Sequence, residues 1–411
     1  MHLLFLTDNF PPEVNAPASR TFEHCKEWVK AGHNVTIITC APNFPHGKLY
    51  KGYENKLYQK EEMEGIVVIR VWSYITANEG IVKRTLDYIS YMVSSTIASV
   101  FVKKPDIVIG TSPQFFTACG AYLASRFKRC PFVFELRDLW PESIKAVGAV
   151  KDSLLIRVFK KLEYFLYRKA DRIISVTHSF KEVLIANGVS SEKIDVITNG
   201  VDLSHFKPME KDLKLIDRYQ LHGKFVAGYV GTHGMAHALH TIVDCAEIIQ
   251  QTDKEDKFRF LLLGAGAAKQ SLIRIAKEKS LKNIIFIDPV PKAEVIRYWS
   301  ILDVSIIHLK KTDLFKSVIP SKLFECMGMG VPVLHGVEGE SADIVKKEKA
   351  GITFEPENAQ ELAAILKKFE EDTQLLALLK TNTSKAAFNY DRNKLARKMM
   401  SIFKRILGAQ K

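Results

Sequence analysis

The sequence contains few cysteines, and they form no recognisable metal or disulfide pattern. Its six cysteines are scattered through 411 residues without a CxxC pair or a His/Cys cluster at metal-ligand spacing. The pattern argues against a zinc-binding or disulfide-stabilised domain, and a reduced cytosolic compartment is expected. A Walker P-loop ending in GKS or GKT and a D-x-D pair are absent as well, so we expect a phosphate-bearing ligand to bind without a metal or other cofactor.

Long hydrophobic runs are also missing. The first apolar run has four residues and ends before Asp8, which is too short for the hydrophobic region of a signal peptide. From Tyr88 to Val102 the chain has fifteen uncharged residues, fewer than the roughly 20 that a spanning helix needs. We therefore expect neither export nor a transmembrane helix. With 47% hydrophobic residues, a chain of this length predicts two globular domains.

The net charge is +13, and more than half of the excess lies near the C-terminus. Residues 385–411 contain eight Lys or Arg and one Asp, and apolar side chains such as Leu395 and Met399 recur there at helical spacing. This pattern predicts a basic amphipathic helix. Two interpretations stay open: the helix docks on the protein with a solvated charged face, or it contacts anionic lipid. The stretch from Ser153 to Arg172 has the same character and the same two interpretations.

Short β-branched runs alternate with helical stretches along the whole chain, which predicts parallel sheets covered by helices. The runs begin near residues 3, 35, 67, 106, 132, 172 and 194, and the pattern restarts near 225, 258, 284, 304 and 332. The fold class is therefore α/β, with two Rossmann-like, doubly wound parallel-sheet domains facing a cleft at the carboxyl ends of their strands. The predicted parts are an N-terminal domain over 1–204, a linker over 205–222, a C-terminal domain over 223–385 and a basic helix over 386–411 that returns to the N-terminal domain.

The most informative stretch runs from Val318 to Gly336. Pro320 fixes φ and Ser321 offers an N-cap oxygen, so a helix is predicted to start there with Lys322 and Glu325 on one face. The helix start and the lysine would neutralise a phosphate, and the carboxylate would accept hydrogen bonds from sugar hydroxyls. The pattern therefore indicates a sugar-nucleotide site. An ordinary capped helix with a solvated Lys–Glu pair is the alternative.

Two glycine-containing loops follow strands in the C-terminal half. Gly231 and Gly234 permit a tight turn into a helix predicted to begin near Met235, with Thr232 and His233 as added hydrogen-bond donors. After the next strand, a second loop contains two more glycines, Gly264 and Gly266. The second loop matches a dinucleotide fingerprint only in part. Both loops would approach a diphosphate, and the alternative is that the glycines serve the turns alone.

Charged side chains also follow a strand in the N-terminal half, and a long loop follows the first strand. At the carboxyl end of FVFEL the chain places candidates for reacting groups, with a structural Arg–Asp pair as the alternative. The loop after the first strand is rich in turn residues and is predicted to line the cleft, although Arg20 could equally be a surface charge. The candidates are Arg137, Asp138 and Glu142 after FVFEL, and Asn15, Ala16 and Arg20 after the first strand.

The order and spacing of six segments resemble the retaining glycosyltransferases of family 4 with the GT-B fold. The segments are PPEVNAPASR, LRDLWPES, NGVD, YVGTHGMAHAL, LLLGAGA and VIPSKLFECMGMGVPV. They are most similar to bacterial O-antigen and capsule enzymes that add N-acetyl-L-fucosamine to a lipid-linked sugar. The resemblance implies a UDP-sugar donor, a polyprenyl-diphosphate-linked sugar acceptor, and a cytoplasmic enzyme peripheral at the inner face of the cell membrane. It also implies retention of anomeric configuration by front-face attack.

The resemblance also assigns site residues. The Gly231 loop and the Ser321–Lys322 turn would hold the donor diphosphate, Glu325 would bind the ribose, and uracil would meet the backbone from Pro289 to Lys292. Taken with the candidates from the residues themselves, the predicted donor-binding set is Gly231, Thr232, His233, Gly264, Gly266, Pro291, Pro320, Ser321, Lys322, Leu323 and Glu325. The predicted catalytic set is Arg137, Asp138, Lys322 and Glu325, with no metal.

Two departures from the family pattern stand out. Family members usually carry two glutamates separated by seven residues, and the first would fall on Ser317. Many members also carry an Arg and a Lys in the loop that here reads GTHGMAHA, which leaves Lys322 as the main cation for the diphosphate. A UDP-sugar 2-epimerase of the same fold is the alternative enzyme. Nucleic-acid binding ranks last and no nucleic-acid partner is expected, because the sequence contains no recognised nucleic-acid-binding module.

Overall fold

The computed structural model describes residues 1–44, 46–76, 81–139, 154–252, 254 and 256–408. The chain forms two compact units, one made of Met1–Thr198 with Arg392–Lys411 and the other of Asn199–Asp391. The division falls at Asn199 and at Arg392, and both positions differ from the boundaries expected from the sequence.

Each unit is built on one sheet. The first sheet has the order β3-β4-β2-β1-β5-β6-β7-β8 and the second has the order β11-β10-β9-β12-β13-β14. The strands of the first unit are β1 His2–Leu6, β2 Asn34–Cys40, β3 Tyr58–Met63, β4 Ile66–Val71, β5 Ile107–Thr111, β6 Phe132–Leu136, β7 Arg172–Ser175 and β8 Ile194–Val196. Those of the second are β9 Phe225–Val230, β10 Phe258–Leu263, β11 Ile284–Ile287, β12 Val304–His308, β13 Val333–Gly336 and β14 Gly351–Thr353.

Helices connect the strands. The described helices of the first half are α1 Ala16–Lys30, α2 Ile81–Phe101, α3 Phe115–Lys128, α4 Leu154–Lys169 and α5 His178–Ala186. Those that follow are α6 Leu213–Arg218, α7 His240–Gln250, α8 Lys269–Glu278, α9 Lys292–Ser300, α10 Lys322–Met329, α11 Glu340–Glu348, α12 Ala359–Glu371, α13 Thr373–Ala387 and α14 Arg392–Gly408. None of the described helices combines the length and apolarity needed to cross a membrane.

Strand β3 was not expected from the sequence. It pairs antiparallel with β4 at the edge of the first sheet, through a turn in which Glu64 and Gly65 both have positive φ, +51° and +78°. Its sequence YQKEEM is charged and its residues are exposed or half-buried. A charged edge strand of this kind discourages pairing with another chain.

Two helical layers cover the first sheet. Because successive strand residues point to opposite faces, Leu4 and Leu6 pack with α2, α3, α4 and α5, whereas Leu3 and Phe5 pack with α1 and α14. The apolar face of α14 is therefore buried. Trp28 of α1 donates a hydrogen bond from Nε1 to the carbonyl of Ala396, 2.9 Å away, and its ring contacts Phe403 at 5.4 Å. Of the two interpretations of the C-terminal helix, the structure favours docking on the protein.

Residues 205–222, expected to form a linker, pack inside the second unit. Phe206, Leu215 and Leu221 are buried in its core, and helix α6 contains Leu215. Asp212 accepts the N–H of Leu215 as an N-cap and pairs with Arg297 at 2.6 Å. The polar residues that suggested a linker therefore cap helix α6 and form an ion pair, while apolar residues of the same segment are buried in the core.

Candidate functional site

In the second unit, the glycine loops and Lys322 meet at the carboxyl ends of the central strands. Residues Val230 and Leu263 pair in register, so the loops that follow β9 and β10 lie side by side. The strand order reverses between β9 and β12, and a ligand of an open α/β sheet binds at such a switch point. Helix α10, which follows β12, begins with Lys322.

Gly231 and Lys322 are in close contact. A Cβ built on Gly231 would lie 2.8 Å from the Lys322 ammonium nitrogen, and the glycine has a φ of +142°. Both the conformation and the space therefore require glycine at this position. The sequence analysis assigned both residues to the diphosphate, and the structure brings them together.

The Lys322 ammonium nitrogen is buried and finds no hydrogen-bond partner within the described residues. It lies 3.7 Å from the centre of the Tyr229 ring, which is a cation–π contact. Burial lowers the pKa of Lys322 to about 7, although the neighbouring Glu325 carboxylate acts in the opposite direction. A buried cation without a hydrogen-bond acceptor is costly, so this position suits an anionic ligand.

Tyr229 also shapes the loop. Its hydroxyl donates a hydrogen bond to the carbonyl of Thr232 at 2.8 Å, and burial raises the pKa of the phenol. The tyrosine therefore fixes the turn at its hydroxyl end while its ring contacts the lysine. The sequence analysis missed this residue, because it is one apolar position of an apolar strand.

The two glycine loops interlock through their backbones. A Cβ on Gly264 would lie 1.9 Å from the carbonyl oxygen of Gly231, and a Cβ on Gly266 would lie 2.4 Å from that of His233. The N–H of His233 donates to the carbonyl of Ala265 at 2.8 Å. The glycines of the second loop thus permit close packing of one loop on the other.

Lys269 holds the second loop in place. Its ammonium group donates to the carbonyls of Gly264 and Ile287, at 2.8 and 2.9 Å, and pairs with Asp288 at 2.6 Å. The residue is 7% exposed. This lysine of the GAGAAK segment therefore connects the ends of β10 and β11.

The histidines of the first loop are not arranged as the sequence suggested. His233 is fully buried, and its pKa is lowered to about 4. Burial is the largest cause of this shift, and the positive charge of Lys269 is the second. Burial and Lys322 lower the pKa of His237 to about 3. Both rings are therefore neutral at pH 7, and that of His233 is closed off from solvent, which argues against its predicted role as a hydrogen-bond donor to the diphosphate. The following α-helix also starts later than predicted, at His240, because a 3₁₀ turn occupies Met235–His237.

His308 supports this loop from the next strand. Its Nε2 accepts the N–H of Glu357 at 2.8 Å, so Nδ1 must hold the proton, and Nδ1 lies 2.8 Å from the carbonyl of His237. Burial lowers the pKa of the ring, which keeps the imidazole neutral. A neutral histidine with a defined tautomer thus joins the loops around residues 237 and 357.

The start of helix α10 differs from the predicted cap. Ser321 has helical angles, φ −58° and ψ −29°, and its side chain makes no capping hydrogen bond. The amides of Leu323 and Phe324 instead donate to the carbonyls of Pro320 and Ser321, at 3.0 and 3.1 Å. Leu323 is fully buried in the core, so its side chain is a packing residue.

The other donor candidates lie at the same edge of the sheet. Glu325 is half-buried one turn after Lys322, and Thr232 is exposed. Pro291 is exposed in the loop after β11 and immediately precedes helix α9. The described residues contain no group of three or more His, Cys, Asp or Glu that could hold a metal ion.

In the first unit, Arg20 is a buried structural residue. Its Nε donates to Glu135 at 3.0 Å, and the guanidinium also donates to the carbonyls of Ile197 and Thr198. Both charged side chains are 1% exposed. The prediction of a cleft residue or a surface charge is therefore corrected: Arg20 joins α1 to β6 and to the end of the sheet. The sequence analysis missed its partner Glu135, which looks like part of an apolar strand.

The remaining candidates of this unit lie at the carboxyl edge of the sheet. Asn15 is the N-cap of α1 and accepts the N–H of Ala18 at 2.9 Å, and the neighbouring Ala16 is exposed. The amides of Arg137 and Asp138 donate to the hydroxyl of Ser112, at 2.7 and 3.2 Å. Burial lowers the pKa of Arg137 to about 10, although Glu135 acts in the opposite direction. Glu142 lies outside the described residues.

Two carboxyl groups near this edge were also missed. Glu13 accepts the amides of Asn43 and Phe44, at 2.8 and 2.9 Å, and burial raises its pKa to about 7. The pKa of Asp87 is also raised to about 7, mainly by burial and next by the negative charge of Asp8. Glu13 belongs to the PPEVNAPASR segment and Asp87 to helix α2, and the sequence analysis gave neither carboxyl group a role.

The chain matches known families and structures over most of its length. Residues 18–205 match Glycosyltransferase Family 4, and residues 214–386 match Glycosyl transferases group 1. The putative colanic acid biosynthesis glycosyl transferase WcaI of Escherichia coli is 25% identical over 342 residues, which cover 80% of this chain and 82% of the relative.

Solved structures share the fold. Anabaena HepE in complex with UDP has a TM-score of 0.71 at 16% identity, covering 98% of this chain and 100% of HepE. Sucrose-phosphate synthase from Thermosynechococcus elongatus has a TM-score of 0.76 at 15% identity, covering 99% of each chain. The fold prediction of two doubly wound α/β domains is therefore confirmed. The chain belongs to the glycosyltransferases of the GT-B fold, in which a Glycosyltransferase Family 4 region is followed by a group 1 region.

Proposed function

We propose that this glycosyltransferase moves a sugar from a UDP-sugar to a polyprenyl-diphosphate-linked sugar acceptor during the assembly of a bacterial surface polysaccharide. The observation that carries the proposal is the buried Lys322 ammonium beside two interlocked glycine loops, since no described residue accepts a hydrogen bond from it. The relative WcaI is named for colanic acid biosynthesis, and HepE was solved with UDP. Both observations support the proposal.

On the donor side, Lys322 would bind the diphosphate and Glu325 the ribose of the nucleotide. The backbone around Gly231 and Thr232 would approach the phosphates, and the exposed loop at Pro291 would meet the uracil. Tyr229 would hold the ammonium in place until the diphosphate provides its hydrogen-bond acceptors. The site would need no metal, because the ammonium and the amides supply the positive charge.

The proposed chemistry depends on the leaving group. Breaking the bond between the anomeric carbon and the phosphate oxygen places negative charge on the diphosphate, so a fixed ammonium stabilises the transition state more than the ground state. The attacking hydroxyl of the acceptor would approach from the same face. Its proton would pass to the departing phosphate oxygen, with retention of the anomeric configuration.

On the acceptor side, Arg137 and Asp138 would contact the acceptor at the carboxyl edge of the first sheet, beside Asn15 and Ala16. The donor sugar would be an N-acetylated deoxyhexosamine such as N-acetyl-L-fucosamine. Ser317, in place of the usual glutamate, supports an unusual sugar because it removes one carboxylate acceptor for hydroxyls. The enzyme would act in the cytoplasm at the inner face of the cell membrane.

The experiment that tests the proposal supplies purified enzyme with a panel of UDP-sugars and a polyprenyl-diphosphate-linked acceptor, and determines the product linkage by NMR. We expect turnover that requires the acceptor, apart from slow hydrolysis of the donor. A 2-epimerase would convert the UDP-sugar without any acceptor. The glycosyltransferase relatives do not favour that alternative.

Replacing Gly231 by alanine should weaken the binding of UDP by about tenfold or more, because the new Cβ displaces an ammonium whose charge-assisted bond is worth roughly 1.5–3 kcal/mol. Isothermal titration calorimetry with UDP measures this change. Gly223→Ala is the matched control, since Gly223 also has a positive φ, +65°, but no atom lies within 4 Å of its added Cβ. Equal UDP affinity of the two variants would contradict the assignment.

The affinity for a UDP-sugar should fall as the pH rises above about 7, the pKa to which burial lowers Lys322. The diphosphate of a UDP-sugar keeps its charge in this range and favours the protonated ammonium, so binding above this pH takes up a proton. Calorimetry between about pH 6 and 9, in buffers of different ionisation enthalpy, measures the affinity and the proton uptake together. A Lys322→Met variant should bind weakly and show no such proton uptake.

A further inference from the structure

We propose that the exposed face of helix α2 docks the first unit on an anionic phospholipid membrane. Large apolar side chains run along this face at intervals of three and four residues, and each is more than a third exposed. They are Val82, Leu86, Ile89, Val93, Ile97 and Phe101. We call this set the α2 stripe. A soluble helix normally turns such a stripe toward the core, whereas here the core-facing side of α2 carries other residues such as Tyr91 and Ala98.

The neighbouring helices extend the apolar surface. Helix α3 packs along α2 and exposes Leu123 and Phe127, and helix α4 exposes Val158 and Phe165. The three helices belong to one layer, because Phe116 of α3 contacts Phe159 of α4 at 5.7 Å, and Lys128 at the end of α3 donates to the carbonyls of Val100 and Val102. The apolar side chains therefore lie on the outer side of a single helical layer.

The charges around the stripe fit anionic lipid. The three helices and the adjoining residues 102–104 and 129 contain twelve Lys or Arg and only two acidic residues, Asp87 and Glu163, neither of which is exposed. Lys103 and Lys104 follow the end of the stripe directly and are exposed. Basic side chains would pair with lipid phosphates while the apolar side chains enter the interface, which is how amphipathic helices bind membranes.

The same charge pattern argues against a second copy of the chain as the occupant. Self-association through this face would bring the basic side chains of two copies together, which is unfavourable. The C-terminal helix is not an equivalent membrane surface, because its apolar side chains are buried against α1 and the sheet. Within the described part of the first unit, the α2 stripe is thus an apolar helix face that stays exposed, and basic side chains surround it.

This inference rests on the proposed function in one respect, because it explains how a lipid-linked acceptor reaches the first unit. Helix α2 begins on the side of the sheet where Arg137 and Asp138 lie. The hydroxyl of Tyr91 contacts the carbonyls of Thr7 and Ile38, at 2.9 and 2.7 Å, next to the loop after β1. A membrane along α2 would therefore hold the acceptor diphosphate close to that edge of the sheet.

The test is a flotation assay of the full chain with vesicles of phosphatidylcholine alone or with about 30% phosphatidylglycerol. We expect wild-type protein to bind the anionic vesicles at least about tenfold better than the neutral ones, and Val93→Asp/Ile97→Asp to lose at least about tenfold of that binding. Leu213→Asp/Leu378→Asp is the matched control, because it adds the same charge at exposed leucines of the second unit. Lys103→Glu/Lys104→Glu tests the charges without altering the stripe.

Several outcomes would overturn the inference. They are no vesicle binding by the wild type, equal losses in the stripe and control variants, or a wild-type dimer that Val93→Asp/Ile97→Asp dissociates. Circular dichroism of each variant checks the fold, and if the stripe variant does not fold, the Lys103→Glu/Lys104→Glu result decides. UDP binding is measured in parallel: its absence in the wild type would refute the proposed donor site, whereas intact UDP binding with unchanged vesicle binding in the variants would refute only the docking surface.

Discussion

Replacing Lys322 by methionine is expected to lower kcat/KM for sugar transfer by about 30- to 1,000-fold, which corresponds to roughly 2–4 kcal/mol of transition-state stabilisation. Methionine keeps most of the apolar stem of the side chain and removes the ammonium group, with its charge and its three hydrogen-bond donors. The effect is large because the loop at Gly231 contains no Arg or Lys that could replace the ammonium. Steady-state kinetics with a UDP-sugar and a lipid-linked acceptor measures the loss.

The same substitution should not destabilise the fold. The Lys322 ammonium is buried and has no hydrogen-bond acceptor in the described part of the chain, so its removal eliminates a desolvation cost. The pKa of Lys322 is about 7 in the folded protein and 10.5 in the unfolded chain, so the unfolded chain binds more protons between these two pH values. The stability of the wild type should therefore rise relative to that of the variant as the pH increases through this window, with no such rise below about pH 7. Urea unfolding at several pH values tests the sign.

Lys316→Met is the matched control for the kinetics. Lys316 lies in the same unit and pairs with Asp313 at 2.9 Å, but its side chain is 48% exposed. We expect kcat/KM of this variant to stay near that of the wild type. If Lys322→Met has near-normal kcat, or if both variants lose activity equally, the diphosphate role of Lys322 is wrong.

Replacing Arg20 by methionine is expected to destabilise the first unit by about 3–5 kcal/mol, because it leaves Glu135 as a buried charge without its cation. Both side chains are 1% exposed, and the second oxygen of Glu135 already has no hydrogen-bond partner among the residues that the structure describes. The carbonyls of Ile197 and Thr198 lose their donors as well. Urea or thermal unfolding measures the change in the free energy of unfolding.

The double variant Arg20→Met/Glu135→Leu should recover most of this stability, because it removes both buried charges together. Arg274→Met is the control for an exposed pair: Arg274 and Glu278 lie 3.8 Å apart and are 73% and 65% exposed, so the expected cost is below about 1 kcal/mol. A cost below about 1 kcal/mol for Arg20→Met, or a double variant no more stable than the single, would contradict the structural role of Arg20.

Much of the second unit's site was visible in the sequence. Gly231, Gly264 and Gly266 follow predicted strands, and Lys322 begins a helix that comes after a further predicted strand. Because parallel strands end at the same edge of a sheet, the sequence predicts that these residues lie close together there. The fold class follows from the alternation of apolar strands with helices. These features depend on residues close in the chain, which is why local patterns reveal them.

Other parts of the site were not visible. Tyr229 and Glu135 sit in apolar strands, and their roles arise from Lys322 and Arg20, which are 93 and 115 positions away in the numbering. Ser321 carries the right side chain for a cap, but its helical angles prevent it. The stripe of α2 reads as a core face in the sequence, and only the packing of the sheet shows that a different face is buried.

The sequence by itself therefore determined the fold class, the glycine loops and the lysine that we propose to bind the diphosphate, because each depends on short-range periodicity and turn chemistry. Tertiary structure decided which charges are buried, which histidines are neutral and which amphipathic faces remain uncovered. Burial and electrostatic partners depend on contacts between distant segments, and no local pattern specifies those contacts.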